Sequence, residues 1–419
     1  MVFKFLITDI LLWFLILSCL LVFIFLRKKA ILTQVVEKIK QSKLAVISGV
    51  ILLFYIVIAL ADSIHFRLSI ETDNGKKTIK PYIESVLDLY LSPWHERYEK
   101  TYSLPFDSKL SVKSSIVKDN QVIRHFEHLK ELKPLPFVNL SKAKNLSILT
   151  TIGFLKGLIV VVILFIIWLF YYRLRKKLPL KTVFKNFISN RFQTQWLSFW
   201  LSFSVLLVLG FICYQLIPYV HLLGTDKVGT DVFYLALKSI RTAIIIGTVT
   251  TLILLPIAIF FGLCAGFFGG IIDDIIQYLY TTLNSIPGIL LIASFSLLLS
   301  VFMSQHSDYF SSALERADLR LLGLCFILGI TSWTSLCRLL RAEALKIKAL
   351  DYVTAAKTLG SSNYKILMMH IFPNVIYLIL ITFVLDFSGL VLAETILSYV
   401  GIGVDPTMAS WHGVFMSIN

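Results

Sequence analysis

Four of the eight histidines, His65, His95, His125 and His128, lie together in one polar stretch, where they are the natural candidates for metal or proton chemistry. Their spacing does not follow H-E-x-x-H, and His125 with His128 alone makes a poor zinc site, so no metal is expected. Cys19, Cys213, Cys264, Cys325 and Cys337 all fall in apolar runs, none in that polar stretch. They read as small buried hydrophobes rather than as a disulfide framework, ligands or nucleophiles. There is no Ser-His-Asp set, no carboxylate pair on a soluble scaffold and no cofactor fingerprint. A G-x-x-x-x-G-K-[ST] phosphate loop is missing too, so the chain cannot itself supply a Walker-type ATPase. The chain is expected to have no catalytic residues and no cofactor.

Two carboxylates stand apart. Asp386 lies deep in an apolar run and Glu394 near its end. A charge in hydrocarbon is costly, so such groups usually face a cavity or a partner. Asp386 is a candidate pathway residue, the alternative being a hydrogen bond between helices. Glu394 reads as part of a structural loop.

The richest polar segment is DYVTAAKTLGSSNYKILMMHIFP, Asp351–Pro373. Asp351 is a candidate helix cap, and Gly360 suits a left-handed position closing that helix. Tyr352, Ala355, Ala356 and Leu359 share one side at helical spacing. Ser361 or Ser362 restarts a helix, and Pro373 is expected to interrupt it. A short helix–turn–helix in a basic loop suits docking of a soluble partner. An amphipathic loop lying on lipid headgroups is the plainer alternative. Lys348 is read as a remote surface charge.

The elements that must position these residues are mostly membrane helices. Hydrophobic residues make up 57% of 419 and the mean hydropathy is +0.80, well outside ordinary soluble composition. Apolar runs near the length of a bilayer crossing appear at Phe5–Leu26, Leu44–Ala61, Phe154–Tyr172, Trp196–Val220, Ala243–Phe268, Ile276–Met303, Leu321–Cys337 and Ile371–Leu392. The first is too long for a cleaved signal and has no small-residue cleavage site. The net charge of +15 concentrates in the loops Arg27–Lys43, Arg173–Arg191 and Arg338–Lys365. That pattern puts these loops in the cytoplasm, and the N-terminus, Asp62–Asn145 and Gly224–Asp231 outside. No basic strip carries interleaved aromatics, so nucleic acid is not an expected partner. In the outward segment, Trp94, Tyr98 and Tyr102 read as core anchors rather than contacts to a partner protein.

Ala355-Ala356, Gly360 and Pro373 resemble the EAA loop of ABC importer inner-membrane subunits. Thr354 stands where that family usually has Glu, His370 takes the Ile position and Phe372 the Leu position. HIFPN (His370–Asn374) is similar to the H-x-x-P-N ending of peptide-type members. LLGTDKVGTDV (Leu222–Val232) resembles the LGTD-x-x-G-R-D-V signature of the dipeptide/oligopeptide C-type permease subunit, with Thr230 replacing Arg. AGFFGGIIDD (Ala265–Asp274), SIPG (Ser285–Gly288) and ETILSYVGIG (Glu394–Gly403) follow in family order. From residues alone, Gly224, Thr225, Asp226, Gly229 and Asp231 form a turn-rich elbow into the next helix. Gly262, Gly266, Gly269 and Gly270 permit close helix packing, and Pro287-Gly288 should kink a span as a hinge.

The resemblance implies an all-α polytopic permease bundle in a bacterial inner membrane, with an N-terminal extension. The expected division is two transmembrane helices over 1–61, an extracytoplasmic segment over 62–150, a third helix with a basic linker over 151–195, and the permease core over 196–419. Implied partners are a second homologous permease subunit, two ATP-binding subunits, an extracytoplasmic solute-binding protein and membrane lipid. Family members have one more crossing after the ETILSYVGIG region, so the resemblance implies either a core truncated at SWHGVFMSIN or one completed differently. A membrane-anchored sensory or assembly protein is the alternative from another class. A secondary transporter fits less well, because no internal repeat with paired broken spans is evident.

Overall fold

The structure is a computed structural model describing residues 2–4, 6–26, 30–67, 69–71, 77–79, 83–91, 99–118, 121–130, 132–137, 140–177, 179–188, 195–306, 308, 312–405, 408–411 and 413–414. Seven described helices are long and apolar enough to cross a membrane: Lys43–Asp62, Lys142–Lys176, Trp196–Leu216, Val232–Phe268, Gly288–Gln305, Ala313–Lys348 and Asn363–Tyr399. Ile7–Leu26 adds a further helix, whose Ile7–Ser18 part is apolar. In chain order, the helices are α1 (Ile7–Leu26), α2 (Ala30–Gln41), α3 (Lys43–Asp62), α4 (Val86–Tyr90), α5 (Lys142–Lys176), α6 (Leu180–Ile188) and α7 (Trp196–Leu216). They continue with α8 (Val232–Phe268), α9 (Gly270–Ser285), α10 (Gly288–Gln305), α11 (Ala313–Lys348), α12 (Asp351–Thr358), α13 (Asn363–Ile366) and α14 (Phe372–Tyr399). The polytopic all-α reading therefore stands, with short strands confined to the N-terminal half.

The chain forms two compact units. The first takes in residues 1–4, 14–241 and 413–419. Its tightest helix pair is α5 with α7, and the cause is local. Gly153 and Gly157 form a G-x-x-x-G step on α5, where added Cβ atoms would stand 2.8 Å from the Ile212 Cα and 3.0 Å from the Val208 Cα. With no side chains there, the two backbones approach closely enough for dispersion along the seam. An aromatic group of Phe165, Trp168, Phe187, Trp196 and Trp200, with ring centroids 5.0–5.8 Å apart, joins α5, α6 and α7 at the other end. Strand β1 (Val2–Lys4) pairs antiparallel with β2 (His65–Arg67) of the polar stretch after α3; β3 (Ser69–Glu71) pairs with β4 (Lys77–Ile79), and β5 (Glu84–Ser85) pairs antiparallel with β2. A hairpin of β6 (Lys109–Lys118) and β7 (Gln121–His128) follows.

The second unit comprises residues 5–13 and 242–412. Gly262 and Gly266 seat α8 against α11, since Cβ atoms there would lie 2.8 Å from the Cys337 carbonyl oxygen and 2.7 Å from that of Arg341. Gly247 leaves room for the Phe387 ring of α14. Gly269 and Gly270 act differently from the packing role expected of them. Both have positive φ (69° and 55°), and they turn the chain from α8 into α9. Asp273 then receives Arg341 in a two-pronged pair at 2.5 and 2.6 Å, fixing α9 to α11.

The run expected to cross as Ile276–Met303 is not one span. α9 ends at Ser285 and α10 begins at Gly288, with Ile286 extended (φ −89°, ψ 127°) and Pro287 as its cap. The residue before a proline avoids helical backbone, so the kink expected at Pro287 is a full break. Trp94, Tyr98 and His95 lie outside the described residues. Of the other polar-stretch histidines, His65 is buried, while His125 and His128 are exposed on β7. Three positions apart on a strand, these two point to opposite faces. Among the described residues no group of His, Cys, Asp and Glu has the arrangement of a metal site.

Candidate functional site

The segment after α11 folds as two short helices around one turn. Leu350, not Asp351, is the cap of α12; Asp351 sits in the first turn without a side-chain cap bond. There its charge still favours the positive helix end. Gly360 has φ 78° and closes the helix in a Schellman motif: Ser361 N–H donates to the Ala356 carbonyl and Gly360 N–H to that of Lys357, both at 3.1 Å. Ser362 caps α13 through the Lys365 N–H at 3.4 Å. Pro373 does not interrupt the helix. Leu367–Ile371 form a π turn with Phe372 N–H bonded to the Leu367 carbonyl, and α14 continues with the proline in its first turn. The wider turn accommodates a residue with no N–H to give.

Val353 is 3% exposed and seats α12 in the second unit, whereas Tyr352, Ala355 and Leu359 are exposed and Leu359 reaches 85%. Ala356 is half-buried. Thr354 is exposed, and its hydroxyl donates to the Asp351 carbonyl at 2.8 Å. The side chain holding Tyr352 was not singled out from sequence. Asn374 Nδ2 donates to the Tyr352 hydroxyl at 3.1 Å and to the His370 carbonyl at 2.6 Å, and the His370 ring lies 6.0 Å from the tyrosine ring. The HIFPN stretch therefore braces α12 against the start of α14. An apolar-tipped knob results, braced from behind, with Leu359 uncovered among the described residues.

The Gly224–Asp231 loop belongs to the first unit. Asp226 accepts from the N–H groups of Val228 and Thr230 at 2.9 and 2.8 Å. Asp231 accepts from Phe233 and Tyr234 at the start of α8, and its other oxygen meets His221 Nδ1 at 2.7 Å. Gly224 and Gly229 have φ 81° and 83°. Thr225 turns away from its own loop: its hydroxyl donates to the Thr101 carbonyl at 2.8 Å, and its N–H to that of Ser103 at 3.3 Å. The polar stretch 99–106 is thus laid across the loop, with Glu99 over Gly229 and Phe106 N–H on the His221 carbonyl at 3.0 Å.

Beside it lies a buried charged group. Asp88 accepts from Tyr234 Oη at 2.6 Å and Lys238 Nζ at 2.9 Å, and Lys238 lies 3.7 Å from Asp62. Burial alone would raise the Asp88 carboxyl. The Lys238 charge and hydrogen bonds from Tyr234, Lys238 and Ser85 outweigh it, leaving the group at about 2.

The remaining candidates separate. Pro287 and Gly288 line a cavity of about 230 Å³ with Asn284 and Thr331. Asp386 is half-exposed on α14. Glu394 is 1% exposed and accepts from the Ser398 hydroxyl at 2.6 Å; that hydroxyl oxygen in turn accepts the Val404 N–H. Glu394 thus lies within α14 rather than in a loop, and it braces the turn that follows the helix through Ser398.

Residues 258–419 match the family model of the binding-protein-dependent transport system inner membrane component. The match covers about two fifths of the chain. The match takes in the Asp351–Pro373 segment, the Pro287 break and the turn after α14. The chain is similar to the oligopeptide transport system permease protein OppC of Bacillus subtilis (strain 168), at 31% identity over 46% of this chain and 57% of that protein. It is also similar to the dipeptide transport system permease protein DppC of the same strain, at 30% over 46% and 54%. The glutathione transport system permease protein GsiD of Pectobacterium atrosepticum is 27% identical over 46% and 58%. The matched region spans about half the length of these curated relatives. The family match and the seven described helices long and apolar enough to span support a multi-pass inner-membrane protein.

Proposed function

We propose that the chain is a translocating, non-catalytic subunit of an ABC importer for peptides or a related small solute. Asp351, Tyr352, Thr354, Ala355, Ala356, Leu359, Gly360 and Pro373 form the element that receives an ATP-binding subunit. The observation carrying this reading is the braced knob: α12 is seated by Val353 and pinned through Tyr352, yet presents Leu359 and Ala355 uncovered. A lever must be rigid behind and bare in front, and this segment is both. Two ATP-binding subunits, a second homologous permease subunit and an extracytoplasmic solute-binding protein complete the proposed assembly. The relatives are each described as permease proteins of transport systems, which favours transport over a sensory or assembly role.

In this reading the basic loops and α12 face the cytoplasm, and Gly224, Thr225, Asp226, Gly229 and Asp231 lie outside beneath the 99–106 stretch. Asp386 faces the translocation pathway, where an intramembrane carboxylate finds water or a partner. The Pro287-Gly288 break gives α10 freedom to tilt. The test is purification of the full chain with its associated proteins from native membranes, reconstitution, and ATP hydrolysis measured with and without peptide and binding protein. Co-purified ATP-binding subunits stimulated by solute support the proposal; a stable chain with no such subunits contradicts it.

A further inference from the structure

A cavity beside the knob is lined by Phe267 and Phe268 at the end of α8, Lys348 at the end of α11, and Val353, Thr354, Lys357, Asn363 and Ile366 of the following segment. Its volume is about 230 Å³. Two lysines line it and no Asp or Glu does. Neither lysine has an ion-pair partner among the described residues, and Lys348 Nζ sits 6.0 Å over the Phe267 ring. Asp273, the acid in the first turn of the adjoining helix α9, is already held by Arg341. That helix is preceded by Gly269 at its cap position, which brings no capping side chain and lies beside the Lys348 ammonium. Positive charge therefore converges on a space with hydroxyl and amide groups at its wall and two aromatic rings at its back. Lys348 is not the remote surface charge its sequence position suggests.

We propose that this pocket binds a phosphate ester anion, bridging the end of α8 to the Asp351–Ile366 segment. Two ammonium groups and the Asn363 amide suit a phosphate's charge and acceptor oxygens, and the rings suit the apolar part of an ester. A phospholipid headgroup and a small soluble phosphate share this chemistry. An occupied pocket would tie the two lysines together and hold α12 in the seated position described above.

The test is lysine acetylation footprinting of the full chain in nanodiscs, read peptide by peptide by mass spectrometry. Lys346, exposed and paired with Glu343 at 3.6 Å, is the internal control two residues from Lys348. Phosphatidylglycerol added to phosphatidylcholine discs should slow acetylation of Lys348 and Lys357 by about fivefold or more, with Lys346 changing less than about twofold. Inorganic phosphate added to pure phosphatidylcholine discs separates the sources: protection there supports a soluble phosphate, and protection with phosphatidylglycerol alone supports a lipid. Lys357→Gln, at an exposed side chain with little part in folding, should abolish protection of Lys348. Equal protection of Lys346, no protection by either probe, or undiminished protection in Lys357→Gln overturns the proposal. Because the readout is occupancy, it is independent of whether the chain transports anything.

Discussion

Gly229 lies directly beneath Glu99: a Cβ on Gly229 would stand 1.8 Å from the Glu99 carbonyl oxygen, while the Glu99 N–H donates to the Gly229 carbonyl at 3.0 Å. The two residues come from distant parts of the chain, the polar stretch after α3 and the Gly224–Asp231 loop. Their contact is backbone on backbone, with Thr225 and Ser103 repeating it nearby. The polar stretch after α3 is therefore fastened to that loop rather than tethered beside it.

Gly229→Ala tests this fastening. A side chain at φ 83° costs about 1 kcal/mol or more in backbone strain alone, and the clash with Glu99 adds to it. Ser103→Cys, buried at 6% exposure, should resist a membrane-impermeant maleimide in the parent background and react in Gly229→Ala. Equal labelling in both would mean the stretch is not held by this contact.

Asp88 predicts an acid response. Its folded value of about 2 lies below the ordinary 3.8, so its contribution is fully present above the ordinary value. It is lost as pH falls from about 4 through about 2. A shift of this size corresponds to roughly 2 kcal/mol. Thermal unfolding of the purified chain should show Asp88→Asn less stable at neutral pH, with the difference from the parent shrinking toward pH 2. A pH-independent difference would remove Lys238 and Tyr234 as its cause.

Gly360→Val should disturb the Schellman turn by about 1–2 kcal/mol and redirect α13. Gly360→Asn, better suited to left-handed backbone, should cost much less. Solute-stimulated ATP hydrolysis in the reconstituted complex is the measurement. It should fall with Val and be largely kept with Asn, at equal membrane abundance; equal coupling in both variants would mean the turn is not needed.

Much of this fold was legible because its signals are local. Apolar runs report membrane helices residue by residue, and Gly360, Ser362 and Asp231 act on backbone groups within five positions of themselves. Pro287 was visible as a disturbance, but whether a proline kinks or ends a helix depends on the conformation of Ile286. The cap at Leu350 escaped because an extended backbone there suffices without a side-chain bond. The π turn before Pro373 has no compositional mark. The seam of Gly153 and Gly157 is a readable G-x-x-x-G, overlooked beside the motif-rich half. Contacts such as Glu99 with Gly229 and Lys348 with the α12 pocket join distant or differently oriented elements, and no spacing rule announces them.

The account rests on the exposed face of α12 as the receiver of an ATP-binding subunit. The most direct measurement is co-purification of that subunit with Ala355→Trp and Leu359→Asp, both at exposed positions where folding is little affected, with Lys346→Gln as a charge-removing control. Exposed charges contribute at most about 1 kcal/mol, so the control should retain its partner. The two knob variants should reach the membrane at parental levels and lose the subunit together with solute-stimulated hydrolysis. Full retention of the subunit and of coupling in both would contradict the account, because α12 would then not be the docking element.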